Sequence, residues 1–336
     1  MSTRREFLHA AGAVGVAGLL TGISSYTFAS GTGSFKPVKF GIISDVHRSH
    51  TFDAYERLEV FMKRVEKENP DFIISLGDFA NAIPENEVFA KLFTSSQTAA
   101  YHVLGNHEMD IVDKKDAVAF LSMPSSYYSF DTGGYHCVVL DANFIYSDDK
   151  FADYEKSNYF RFGSSLINYI NDDQCDWLED DLRKTNLPVF IFSHQSLFID
   201  IPNRAYMQHI LERENERCGF RKIIACFNGH HHLDIYHAIN GIRYFSINSA
   251  SYLWHNTKIP GRYPDETVRK LQNSENITLY KDALFCFVAV DSSGRFSLRG
   301  IQSEWAVQPP DNPASKSVRF GRETRPVISD YDVTLL

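Results

Sequence analysis

Val38-Lys39-Phe40-Gly41-Ile42-Ile43-Ser44 is followed at once by Asp45-Val46-His47. The apolar, β-branched run reads as a buried strand, and the polar residues after it fall at its carboxyl end. Two further runs repeat the arrangement: Phe72–Leu76 leads into Gly77-Asp78, and Tyr101–Leu104 leads into Gly105-Asn106-His107-Glu108. Between the first two, Asp53–Lys67 carries Leu58, Phe61, Met62 and Val65 at helical spacing, and Asn69-Pro70 stops it. Strand–helix–strand is the parallel crossover unit. The carboxyl ends of such strands form the ligand crevice of an α/β sheet.

Working outward, Tyr127–Phe130 and Tyr135–Leu140 flank Asp131-Thr132-Gly133-Gly134 and read as a hairpin. Gln174–Lys184 and Tyr206–Glu216 read as helices. Pro188–Ser193, Lys222–Phe227, Ile242–Ile247, Leu284–Val290 and Phe296–Ile301 read as strands. Two of these strands also end in polar clusters, Ser193-His194-Gln195 and Asn228-Gly229-His230-His231-His232. The expected architecture is a four-layer α-β-β-α sandwich, two mixed sheets with helices on the outer faces. It occupies residues 38–301, preceded by a Gly/Ser linker at 30–37. A C-terminal extension, 302–336, is expected as a strap over the surface.

A formal charge of −8 argues against a broad basic surface for nucleic acid. The five cysteines form no CxxC pair, and an odd number does not read as a disulfide framework. Ser2-Thr3-Arg4-Arg5-Glu6-Phe7-Leu8 precedes a short apolar stretch from Ala10 to Leu20, with small residues leading up to Ala29. Arg4-Arg5 with Phe7-Leu8 resembles a twin-arginine export signal. Residues 1–29 are therefore expected to be removed, leaving no membrane span and a periplasmic or extracellular protein. That route carries folded proteins, which suits free thiols and a metal acquired before export.

The five strand-end clusters carry the chemistry. Carboxylate, amide and imidazole ligands together suit first-row divalent metals better than calcium or magnesium alone. The ordered set Asp-x-His, Gly-Asp, Gly-Asn-His-Glu, Ser-His and Gly-His-x-His, spanning Asp45 to His232, resembles the calcineurin-like metallophosphoesterase superfamily. That resemblance implies a dinuclear centre that hydrolyses a phosphate ester with a metal-bound hydroxide. It implies that Asp78 bridges the two ions. Asp45, His47 and His232 would complete one site, and Asn106, His194 and His230 the other. His107 would contact the phosphate or the leaving group. Two cations would screen the repulsion between an anionic nucleophile and an anionic ester, and Asp78 is suited to bridging because its carboxylate offers two oxygens.

The expected cofactors are two divalent transition-metal ions, with Mn, Fe, Zn, Co and Ni all open. The expected partner is a small-molecule phosphate ester, diester or monoester. The purple acid phosphatase branch has tyrosine where this chain has Asn81, and no histidine at the place of His47, so a purple ferric site is not expected. A non-catalytic exported metal-binding protein retaining the fold is the alternative; an intact ligand set with His107 favours the enzyme.

Other residues are expected to be structural. His231 should face away from its neighbours, and Glu108 should orient His107 or cap a turn. Asp141 could support the site or simply make a structural hydrogen bond, and a solvated charge is the commoner fate of Arg48. His102, His136, His209, His237 and His255 are assigned no catalytic part. The aromatic, acidic segment 144–170 could be a lid, a substrate wall or surface elaboration. Tyr252 and Trp254 could stack on an organic leaving group.

Overall fold

The two faces of β1 (Val38–Ile43) show how the sandwich is built. Phe40 on one face meets Phe190, Phe192 and Phe227 across the layer, with ring centroids 5.1–5.8 Å apart. On the other face Gly41 leaves room for a helix, since a Cβ there would come within 3.3 Å of Phe61. A strand covered on both sides must be apolar throughout, as this one is.

This computed structural model describes residues 35–255, 258, 260–261, 263–271, 273–307 and 324–335. The expected export segment, 1–29, and the linker up to residue 34 lie outside them. After β1 come α1 (Ala54–Glu68), β2 (Phe72–Ser75), α2 (Glu87–Phe93), β3 (Ala99–His102), α3 (Lys114–Phe120) and the hairpin β4 (Tyr128–Thr132) and β5 (Tyr135–Val139). A second hairpin, β6 (Phe144–Ser147) and β7 (Lys150–Asp153), leads to α4 (Asp172–Lys184), β8 (Val189–Phe192), α5 (Arg204–Cys218) and β9 (Ile223–Asn228). The chain continues through β10 (Ile235–Ile239), β11 (Ile242–Ser246), β12 (Tyr252–Trp254), α6 (Asp265–Lys270) and β13 (Ile277–Leu279). It ends with β14 (Cys286–Val290), β15 (Arg295–Gly300) and β16 (Tyr331–Thr334).

One sheet runs β16-β15-β14-β1-β2-β3 and the other β10-β11-β9-β8-β5-β4. Both are mixed: β1–β2–β3 and β5–β8–β9–β11 are parallel, and antiparallel pairs flank them. In the second sheet, Cys137, Val139, Phe190 and Phe192 alternate into the layer between the sheets. Val138, Leu140, Val189 and Ile191 face Leu178 and Leu182 of α4 and Met207, Ile210 and Leu211 of α5. On the far side α1 buries Leu58, Phe61, Met62 and Val65. The result is the expected α-β-β-α sandwich.

Two expected loops carry more structure than that reading gave them. The extension 302–336 includes β16, antiparallel to β15 with Phe296 opposite Val333. Tyr331 packs its ring 5.2 Å from Phe245, which seats that strand on the interior. The 144–170 segment contains the β6–β7 hairpin and a 3-10 turn at Asn158–Arg161.

Candidate active site

The parallel strands β1, β2 and β9, with β8 between β9 and β5, deliver their polar ends to one place. Just past those ends the backbone turns sharply. Asp45 (φ 51°), His47 (φ 53°), Asp78 (φ 50°), His230 (φ 67°) and His232 (φ 53°) all adopt the left-handed region. Each such non-glycine residue costs on the order of 1 kcal/mol or more. The turns are held by one another: the N–H of Asp45 donates to Gly77 at 3.1 Å, that of His47 to Asp78 at 2.9 Å, and that of Gly229 to His194 at 3.0 Å. Gly105 is required by close approach, because a Cβ there would strike both the N–H and the Oδ1 of Asp78.

Asp45, His47 and His232 form one cluster of ligand atoms, and Asp78, His194 and His230 a second. His47, Asp78 and His107 form a third group that joins the two. Asp78 belongs to both sides. Its Oδ2 lies 3.2 Å from His194 Nε2, 3.7 Å from His47 Nε2 and 4.0 Å from His107 Nε2. Its Oδ1 accepts the backbone N–H of His107 at 2.9 Å. Oδ2 is thus the oxygen turned toward the imidazoles of both sides, while Oδ1 is engaged by the backbone. In Asp45, Oδ1 lies 3.3 Å from His232 Nε2 and Oδ2 accepts the Ser44 hydroxyl, while the N–H of His230 is shared between the two oxygens at 3.2 and 3.1 Å.

The donor set fits cations for a reason visible in the hydrogen bonds. His194 donates from Nδ1 to the Leu76 carbonyl at 2.7 Å, and His232 from Nδ1 to the Tyr252 carbonyl at 2.8 Å. Both rings therefore present Nε2 lone pairs inward, the arrangement that orients imidazole ligands. His232 Nε2 faces His47 Nε2 at 3.0 Å, and His194 Nε2 faces His230 Nδ1 at 3.2 Å. Asn106 adds a buried Oδ1 without a hydrogen-bond partner. Ring nitrogens converging on one another beside two buried carboxylates favour positive charge between them, a proton or a cation. The carboxylates exert that pull on protons too. Burial opposes charge on His194, yet Asp78 and Asp45 outweigh it and raise its pKa to about 10. Burial also opposes ionisation of Asp78, but His194 and His107 hold its carboxyl well below the usual range.

His107 stands at the edge of this group and is partly exposed. Its Nδ1 pairs with Asp110 Oδ2 at 2.7 Å, which turns Nε2 toward Asp78. Glu108 is fully buried and binds no imidazole. Its carboxylate accepts the N–H groups of Asp78, Phe79, Ala80 and Gly105 at 2.5–3.2 Å and so ties two strand-end turns together. His231 turns aside to Asp200, 2.9 Å away. Asp141 is structural, accepting from Asn143 and facing Lys114 at 2.8 Å. Tyr252 is buried with its ring 4.7 Å from His232, so it packs against that imidazole instead of offering an open stacking face. His50 and Asp110 escaped the sequence reading, and Tyr159 entered it only as one of the aromatics of the 144–170 segment. His50 lies 3.2 Å from His47 through their Nδ1 atoms, Asp110 orients His107, and Tyr159 donates to Asp110 at 2.6 Å. The spacing of Asp110, three residues after His107 in a tight turn, was the available signal.

A four-layer sandwich with Asp, Asn and His gathered at its strand ends is the frame of a metal-dependent phosphoesterase. The sequence pattern of the calcineurin-like phosphoesterase family matches residues 38–234, and the chain belongs to that family. It is similar to a serine/threonine-protein phosphatase of Danio rerio, CPPED1, with 26% identity over 187 residues. The match covers 48% of this chain and 54% of that protein, so the chain spans about half the length of this curated relative. The fold is similar to the crystal structure of a dimetal phosphatase from Danio rerio, with a TM-score of 0.56 and 13% identity. That likeness covers 89% of this chain and 99% of the other, and at such identity it is one of fold.

Proposed function

We propose that the chain hydrolyses a small-molecule phosphate ester with two divalent transition-metal ions. Asp45, His47, Asp78 and His232 would hold one ion, and Asp78, Asn106, His194 and His230 the other. The observation that carries this reading is the set of inward-facing lone pairs on His194 and His232, fixed by the Leu76 and Tyr252 carbonyls. Bound ions would supply Lewis-acid charge and acidify a water. The protein's own part is positional. Neutral Asn106 limits the negative charge of the ligand set to two carboxylates, so an anionic ester is not repelled once cations are in place. His107 pairs its Nδ1 with Asp110 and turns Nε2 toward Asp78. Burial opposes its charge, but the two aspartates outweigh that and raise its pKa to about 9, so the imidazolium would offer its Nε2 proton to a phosphoryl oxygen or a departing alkoxide.

The reading extends to location: Arg4-Arg5 with Phe7-Leu8 supports export by a twin-arginine route to the periplasm or beyond. Among the described residues no helix is long and apolar enough to cross a membrane.

The test is hydrolysis of bis-p-nitrophenyl and p-nitrophenyl phosphate by protein stripped with chelator and then reloaded with Mn, Fe, Zn, Co or Ni. Activity that returns with metal supports the proposal, and the ratio between esters separates diesterase from monoesterase. No hydrolysis of either ester with any of the five metals would refute it.

A further inference from the structure

Tyr159, from the 3-10 turn inside the 144–170 segment, reaches the site with its hydroxyl. It accepts from Asn106 Nδ2 at 3.2 Å and lies 2.6 Å from Asp110 Oδ1. The directions of these bonds are forced. A carboxylate only accepts, so the single hydroxyl proton goes to Asp110. The hydroxyl then has only lone pairs to offer Asn106, and the amide must turn its NH₂ toward Tyr159. The opposite end, Oδ1, is left buried without a partner. The other oxygen of Asp110 holds His107 Nδ1 at 2.7 Å. One chain of polar groups thus fixes both Asn106 and His107.

We propose that Tyr159 is a positioning residue whose hydroxyl, polarised by Asp110, locks the Asn106 amide with its oxygen toward the metal site. This rests on the metal-binding reading above. Without the lock, the amide can turn its NH₂ group inward, which cannot ligate a cation. The ring itself is held independently, stacked on Tyr154 with centroids 4.5 Å apart and planes 13° from parallel. Tyr159→Phe therefore removes the hydroxyl and keeps the packing.

The experiment is calorimetric titration of Co²⁺ into chelator-stripped protein, with the thermal midpoint measured alongside. Wild type is expected to bind two ions. Tyr159→Phe should weaken one binding step about tenfold, the scale of lost outer-shell partners, and leave the other within about twofold. Asp110→Asn should weaken the same step, because an amide at 110 can donate to the hydroxyl and release its proton toward Asn106. In an Asn106→Ala background, Tyr159→Phe should cost no further affinity. Unchanged binding in Tyr159→Phe overturns the inference, as does a full additional loss on top of Asn106→Ala. Failure of wild type to bind Co²⁺ at all defeats the metal reading and this inference with it.

Discussion

The carboxylate of Glu108 accepts the backbone N–H of Asp78 at 3.0 Å. With Phe79, Ala80 and Gly105 also donating to it, one buried side chain holds the turn after β2 against the turn after β3. The left-handed φ of Asp78 persists because of this clamp. Glu108→Ala would leave several buried N–H groups without an acceptor, at about 1–3 kcal/mol each when unrelieved. The expected outcome is a loss of about 3 kcal/mol or more in unfolding free energy, with reduced metal content at both sites. Denaturant titration with elemental analysis of the purified variant checks it, and an unchanged midpoint would remove Glu108 from this role.

Asp78 lies in the cluster with His194 and His230 and in the group with His47 and His107 that joins it to the other cluster. Asp78→Asn replaces the charge of Oδ2 beside His194, His47 and His107 while keeping the side-chain shape. It should lower metal content more than His47→Ala or His194→Ala, each of which would remove a ligand from one of the two proposed ion sites. Equal metal content in the three variants, measured after identical dialysis, would contradict the shared position.

Much of this arrangement was legible because the strands announce themselves. A parallel strand buried on both faces must be continuously apolar, so the switch to Asp45, Asp78 or His230 is abrupt and easy to read. The contacts of Tyr159 were not legible, since nothing in Asn158-Tyr159-Phe160-Arg161 indicates that a turn more than fifty residues from Asn106 folds back onto it. β16 was missed for a similar reason. Tyr331-Asp332-Val333-Thr334 is a short edge strand, and its pairing with β15 is decided by packing against Phe245 and Phe296, not by local pattern. Glu108 shows the intermediate case: its place in Asn-His-Glu was obvious, but four backbone donors from two turns become visible only in three dimensions.

Away from the site, His136 on β5 sets a pH dependence. Burial opposes its charge, but Asp181 at 2.8 Å and Asp131 at 2.6 Å outweigh that and raise its pKa. A raised histidine contributes stability that is complete below the unfolded value near ~6.5 and lost as pH rises through the folded value. The Asp181 carboxyl is lowered by the same pairing, against burial, so its share is present above the unfolded value near ~3.9 and lost as pH falls through the folded one. The thermal midpoint should therefore fall from about pH 6.5 upward in wild type, and His136→Asn should flatten that decline. A decline of equal steepness in the variant would assign it to other groups.

His107 decides whether the assembly is a catalyst or only a metal holder. Its backbone N–H is fixed to Asp78 and its ring to Asp110, so replacing the ring leaves the clusters Asp45–His47–His232 and Asp78–His194–His230 untouched. His107→Ala should keep its metals. If Nε2 donates a proton to the departing oxygen, turnover should drop by about 10²–10⁴-fold for an alkyl ester. A p-nitrophenyl ester, whose leaving group needs little protonation, should lose far less. A uniform loss on both esters would instead mean that the ring stabilises charge on the phosphoryl oxygens, a contribution that does not depend on the leaving group. The two roles are separated by plotting the logarithm of kcat/KM against leaving-group pKa for wild type and variant. A steeper line for His107→Ala identifies the acid, and a parallel, lowered line identifies the electrostatic role. Coincident lines would show that His107 takes no part in the reaction.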